Sequence, residues 1–205
     1  MPTDKNIELI ISGSHAASPP KAAKRILDVA YDLFYRRGIR AIGVDEIVKR
    51  AGVTKPSLYR SFPSKDELAA SYLKQYDREY WERFDEAVAA HPGDPRAQLK
   101  AFLTRIGKRT QTPDYRGCGM TNAAVEYPEH SHPARVVSEA NKQELRHRLR
   151  AMAAAMGAQD PDTLGDGLLL LIEGAYISGQ LFGLGGPAAS VARNADLLIE
   201  ASLKK

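Results

Sequence analysis

Thr54, Ser57 and Tyr59 offer hydroxyls, and Lys55, Arg60 and Lys65 offer cations, within one short stretch of the chain. Hydroxyls exchange hydrogen bonds and cations neutralise phosphates, so this mixture suits a polyanionic surface with readable base edges. A second cluster is the run Arg116-Gly117-Cys118-Gly119, where a thiolate at a helix start would be stabilised. A third is His130 and His132 around Ser131, with Glu126 and Glu129 nearby, a set that could ligate a metal. Neither of the last two completes a catalytic constellation. No nucleophile motif surrounds Cys118, and nothing marks a base or an oxyanion donor. The sequence therefore predicts no catalytic residue, no metal site, no cofactor and no enzyme. The histidine segment, ending at Pro133, reads as a polar loop. Cys118 reads as an inert thiol, with a redox switch through Cys118 as the alternative.

Helical periodicity positions the first cluster. From Lys21 the residues Ile26, Leu27, Ala30, Leu33 and Phe34 share one face. Arg36 and Arg37 occupy the last turn, where cations favour the dipole, and Gly38 supplies a stop. Gly43 can cap a second helix that has Asp45 and Glu46 in its first turn and Val44, Ile47, Val48 and Ala51 on its buried face. It ends at Gly52. A third helix starts at Thr54, whose hydroxyl is a good N-cap, with Pro56 in its first turn, and ends near Phe62-Pro63. Ser64 and Glu67 make a capping box for a fourth helix running to about Ala90. The second and third helices, joined at Gly52-Val53, form a helix-turn-helix, with Val53 turned into a small core beside Ile47 and Leu58. The second helix of such a unit enters a DNA major groove by its N-terminal end.

The rest of the chain continues helical at about 95–112, 118–126, 132–156, 161–183 and 188–203. No strand alternation appears past residue 20, and no internal repeat is visible. The expected fold class is all-α, with about nine helices: a three-helix N-terminal head followed by a helical body. Residues 1–19 read as a mobile arm, with a short strand at Ile7–Ile11 possible.

Charge agrees with the motif. Residues 18–68 hold 11 Lys or Arg against 6 Asp or Glu, while residues 69–205 hold 17 of each sign, so the excess of positive charge sits in the head. One cysteine in 205 residues excludes an intrachain disulfide and fits a reducing, cytoplasmic compartment. The apolar run from Gly167 to Gly186 carries Glu173 and Gln180, so it reads as a buried helix with no membrane partner.

The segment Ala51-Gly52-Val53-Thr54-Lys55-Pro56-Ser57-Leu58-Tyr59-Arg60-Ser61-Phe62-Pro63-Ser64-Lys65-Asp66-Glu67-Leu68 resembles the signature of the TetR family. The run Leu33-Phe34-Tyr35-Arg36-Arg37-Gly38 resembles the end of that family's first helix. The likeness covers residues 21–68 closely and the later helices loosely. It implies a DNA-binding transcriptional regulator, a repressor released from a pseudo-palindromic double-stranded operator by a small-molecule inducer. By position it implies DNA contacts from Thr54, Lys55, Ser57, Tyr59 and Lys65, with Tyr59 on the phosphate backbone and Leu58 and Phe62 in the core. Two departures stand out. Ile42-Gly43 replaces a frequent Thr or Ser pair, which removes a hydroxyl–phosphate contact, and Pro56 replaces a frequent Gly.

The same resemblance divides the chain into the arm 1–19, a DNA-binding domain 20–68 and an effector-binding and dimerisation domain 69–205. A homodimer through the last two helices is expected. Ala175, Gly179 and Gly183 make one smooth stripe, and Val191, Ala195, Leu198 and Ser202 a second seam. For the inducer, Trp81, Phe84, Phe102, Ile106, Met120, Asn122, Tyr127, Tyr176 and Gln180 could line an apolar pocket with a few polar anchors.

Overall fold

Residues 21–203 are described by the structure, a computed structural model; the expected arm and the strand at Ile7–Ile11 lie outside the described residues. Among the described residues there are nine α-helices and no strand. The head comprises α1 (Lys21–Arg37), α2 (Val44–Ala51) and α3 (Lys55–Ser61). The body comprises α4 (Lys65–Ala89), α5 (Pro95–Arg109), α6 (Gly119–Glu126), α7 (Pro133–Ala155), α8 (Pro161–Phe182) and α9 (Val191–Leu203).

Local chemistry sets these boundaries. α2 closes on Gly52, which adopts the left-handed conformation at φ 61°, ψ 43°, so the chain turns sharply into α3. Leu58 faces inward from α3 and is wholly buried with Ile47, Ile42 and Ile26. Val53 and Phe62 are partly buried against the same core. Ser64 Oγ accepts the Glu67 N–H at 3.1 Å and starts α4. Asp94 and Asp160 cap α5 and α8 in the same way, through the N–H groups of Ala97 and Thr163. Thr54 departs from expectation. It stands at the N-cap of α3 with an extended backbone, yet its hydroxyl makes no capping hydrogen bond.

The later boundaries shift by a few residues. α5 stops at Arg109 because Thr110 is its C-cap. The expected single helix at 188–203 is a short 3-10 turn, Pro187–Ser190, followed by α9. α8 takes up most of the apolar run from Gly167 to Gly186, and among the described residues no helix is long and apolar enough to cross a membrane.

α4 joins head to body. At 25 residues it is about 37 Å long, and Leu68, Leu73, Tyr76, Tyr80, Phe84 and Ala87 give it a continuous buried stripe. Its first turns pack on α1 and its remainder on α5 and α7, while α7 also lies along α6 and α8. Aromatic rings line this stripe. Tyr31 meets Tyr72 edge-on at 5.2 Å, and Phe84 meets Phe102 edge-on at 4.8 Å.

Part of each stripe expected to pair two chains is covered within one, while Gly183, Leu198 and Ser202 stay half-exposed. A Cβ on Gly179 would stand 2.6 Å from Tyr115 and 2.7 Å from Thr110, so this glycine admits the α5–α6 connection. Ala175, Val191 and Ala195 are buried in the same chain. The apolar residues left outward are different ones. On α8 they are Leu170 (73% exposed), Ile177, Leu181 (70%) and the terminal Phe182; Leu170, Gly174, Ile177 and Leu181 fall at spacings of four, three and four, and on α9 Leu197 is exposed.

Candidate nucleic-acid interface and its link to the body

The recognition surface is built on α3 because its core face is used up by Leu58. Thr54, Lys55, Pro56, Tyr59 and Arg60 are exposed, and Ser57 is half-buried. Tyr59 is 47% exposed. Lys55 Nζ lies 2.7 Å from Asp45 of α2, and that ion pair raises its pKa above the usual lysine value. Lys65, at the start of α4, sets its ammonium 3.4 Å from the Arg40 carbonyl oxygen. Partial burial holds its pKa below the usual lysine value, so a phosphate would restore what desolvation removes. Arg60 borders a cleft of about 840 Å³ between α1, α3 and α4, with Lys24, Lys74 and Arg78 around it. Ile42 is wholly buried, so the head offers core there, not a hydroxyl.

Head and body are tied by hydrogen bonds as well as by α4. Glu126, the last residue of α6, accepts the backbone N–H groups of Ile39 and Arg40 at 3.1 and 2.7 Å. Gly38 makes room for it: its φ is +87°, and a Cβ there would sit 3.0 Å from Glu126 Oε1. A second tie is the segment between α5 and α6. Tyr35 Oη of α1 donates to the Gly117 carbonyl at 3.2 Å and accepts the Arg116 N–H at 3.2 Å. Arg116 Nε donates to the Arg36 carbonyl at 3.0 Å, and Arg109 Nη2 donates to Tyr35 Oη at 3.3 Å. A cleft of about 450 Å³ opens between these two ties.

The nine residues expected around one pocket do not share one cavity. Asn122, Tyr176 and Gln180 border the cleft between head and body. Phe102, Ile106 and Tyr176 line a separate small cavity of about 40 Å³ between α4, α5 and α8. Trp81 and Phe84 pack under Arg148, whose guanidinium lies 4.2 Å from the Trp81 ring centre. Met120 is core. Tyr127 stacks on His132, ring centres 3.8 Å apart.

Sequence reasoning missed five residues of the small cavity: Tyr80, Arg83, Arg105, Arg109 and Tyr115. A signal for two of them exists. Tyr76, Tyr80 and Arg83 fall at spacings of four and three, as do Phe102, Ile106 and Arg109, so each arginine stands in a core-facing register. Burial pushes the Tyr80 and Tyr176 hydroxyls far above the usual tyrosine range, and they stay neutral, 3.3 Å apart.

The remaining chemistry-bearing residues are structural in their contacts. Cys118 is 1% exposed and meets Lys142 Nζ at 3.4 Å. Lys142 is half-buried and pairs with Glu173 at 2.6 Å, while Thr121 donates to the other Glu173 oxygen. Burial works against the Lys142 charge, but Cys118 and Glu173 outweigh it and hold its pKa above the usual value. His130 bonds Glu139 at 2.6 Å, and His132 accepts the Ala134 N–H, so neither is placed against Cys118. Among the described residues no cluster of His, Cys, Asp or Glu could hold a metal ion.

Comparison with known proteins agrees with this arrangement. The sequence model of bacterial regulatory proteins of the tetR family matches residues 26–72. The chain is 37% identical over 79 residues to the HTH-type transcriptional repressor KstR2 of Rhodococcus jostii, 38% of each protein. It is 33% identical over 93 residues to the HTH-type transcriptional regulator AcrR of Shigella flexneri, 45% of this chain and 43% of that protein. These matches span less than half the length of those relatives. Over nearly the whole fold, the crystal structure of a TetR-family transcriptional regulator from Streptomyces coelicolor superposes with a TM-score of 0.82 at 30% identity, covering 90% of this chain and 97% of that one.

Proposed function

Because this chain belongs to the TetR family of regulators, we propose that it is a homodimeric repressor that binds a pseudo-palindromic operator and leaves it when a small molecule occupies the body. The observation that carries the reading is the outward face of α3. Thr54, Lys55, Ser57 and Tyr59 lie on it, Lys65 stands beside it at the start of α4, and Leu58 alone anchors it inward. Hydroxyls at the leading end meet base edges, while Tyr59, Lys65 and the flanking Arg60 meet phosphates. The division into a DNA-binding domain at 20–68 and an effector and dimer domain at 69–205 follows, with α4 crossing the boundary.

Two recognition helices must fit successive major grooves, so a partner chain is required. The exposed stripe Leu170, Gly174, Ile177 and Leu181 on α8, with Leu197 on α9, supports pairing through the last two helices. A redox reading through Cys118 is not favoured, since the only cysteine of the chain is buried against Lys142.

Selection of bound duplexes from a random pool tests the reading. An inverted repeat should emerge, with half-sites about one helical turn apart and affinity that falls steeply with salt. A pool with no enriched sequence would refute it.

A further inference from the structure

We propose that the small cavity between α4, α5 and α8 binds the anionic head of an organic acid through Arg83, Arg109 and Tyr115, and that this binding loosens the head. The inference rests on the reading of the chain as a ligand-released regulator.

The cavity is built for negative charge that the chain itself does not supply. Among the described residues Arg83, Arg105 and Arg109 line it, and no carboxylate does. Arg83 Nη2 and Tyr115 Oη are both buried without a hydrogen-bond partner among the described residues. Native proteins rarely leave buried donors unpaired, and two around one cavity mark a missing acceptor. The carboxylates nearest these arginines are engaged elsewhere on them. Glu79 approaches Arg83 Nη1 at 4.0 Å, and Glu86 takes Arg105 Nη1 at 2.8 Å. Arg109 makes no ion pair among the described residues. Its guanidinium lies among the rings of Tyr35, Tyr76 and Tyr115, with ring centres 5.7 to 6.0 Å away. A carboxylate accepts bonds from several such donors at once, and charge-assisted bonds are the strong ones. Phe102, Ile106 and Tyr176 supply apolar walls for the organic body, which must widen a space of about 40 Å³ to enter.

The same residues are wired to the head. Arg109 holds Tyr35 Oη of α1 at 3.3 Å. Tyr115 begins the segment whose next residue, Arg116, bonds Tyr35 and Arg36 at 3.2 and 3.0 Å. An anion that draws Arg109 toward itself and displaces the Tyr115 ring therefore weakens the contacts that seat α1 on the body. A ligand shifts an equilibrium only by its differential affinity for two states, and here the bonds gained by the anion oppose the bonds made to Tyr35.

Calorimetry on the full chain tests this with benzoate and hexanoate, each set against its own amide. At least one carboxylate should bind about tenfold or more tighter than its amide. Arg83→Gln and Tyr115→Phe should each erase most of that preference. Tyr115→Phe removes a hydroxyl that has no partner, so its unfolding midpoint should match the parent's and a folding defect cannot explain the loss. The same carboxylate should release a selected operator duplex in fluorescence anisotropy, and its amide should not. Equal affinity for acid and amide in both pairs, or a preference that survives both substitutions, overturns the proposal. Operator binding that is intact but indifferent to bound carboxylate overturns the coupling to the head. Absence of any sequence-selective DNA binding sinks the regulator reading instead, separately from the calorimetric result.

Discussion

Glu126 accepts the Arg40 backbone N–H at 2.7 Å, and its other oxygen accepts that of Ile39. One carboxylate at the end of α6 thus serves as the acceptor for the loop that leads into the helix-turn-helix. Glu126→Ala leaves both amides without it, and a lost charged acceptor is worth about 1–3 kcal/mol. The expected result is operator affinity reduced about tenfold with helical content unchanged, read by anisotropy and circular dichroism. Parental affinity in this variant would show that the tie does not position α3.

Lys65 gives a second prediction, from its charge. Lys65→Ala should lower operator affinity uniformly across sequence variants and reduce the slope of log affinity against log salt by about one. Ser57→Ala, by contrast, should relax preference at a base position while the salt slope stays the same. Anisotropy titrations at several salt concentrations separate the two.

The pair of Lys142 and Glu173 lies in the body away from the DNA surface. Glu173→Ala would leave a half-buried ammonium beside Cys118 and Tyr176 without its carboxylate. Breaking one side of a fully buried pair costs about 3–5 kcal/mol; this pair keeps some solvent access, so the urea midpoint should fall by part of that cost. Glu173→Gln, which keeps the shape and an acceptor, should cost less.

Subunit pairing is tested on α8. Ile177→Glu or Leu181→Glu places charge on the exposed apolar stripe and should yield a folded monomer in sedimentation, with operator affinity lost. Gly179→Leu should instead destabilise each chain, because Tyr115 and Thr110 already occupy that space. A monomer produced by the glycine change alone would contradict the assignment.

Acid stability follows from Asp160 and Asp166. Hydrogen bonds from Thr163 hold the Asp160 carboxyl below its usual range, and Arg146 and Arg150 do the same for Asp166. A depressed folded-state pKa contributes stability above the unfolded value of about 4, lost as pH falls through the folded value. The thermal midpoint should therefore drop below about pH 4, and Asp166→Asn should flatten part of that drop.

The head was legible because its signals are local. Gly52 at the turn, Ser64 with Glu67 at a helix start, and Leu58 among polar neighbours each declare their place within a few residues. Pairing between distant segments left no such mark. The Ala175–Gly179 stripe looked suited to another helix, and only the fold shows Tyr115 arriving from the α5–α6 connection to fill it. For the same reason the expected pocket residues scattered. Trp81 and Asn122 are both plausible liners by type, yet one packs under Arg148 and the other bonds the Arg116 carbonyl. Arg83 and Arg109 carried only the faint signal of their helical register, since composition does not reveal which helical face a neighbour covers.

The continuity of α4 has a mechanical consequence. Arg83 stands 18 residues beyond Lys65 on one unbroken rod, so the two are roughly 27 Å apart along its axis. If the rod pivots near Arg83, a tilt of about 5° carries its tip at Lys65 through roughly 2 Å, a displacement comparable to the full tolerance of a phosphate contact. In the proposed two-fold pair the tilts of the two rods are related by rotation, so a widening too small to notice in the body would arrive doubled as an error in the distance between recognition helices.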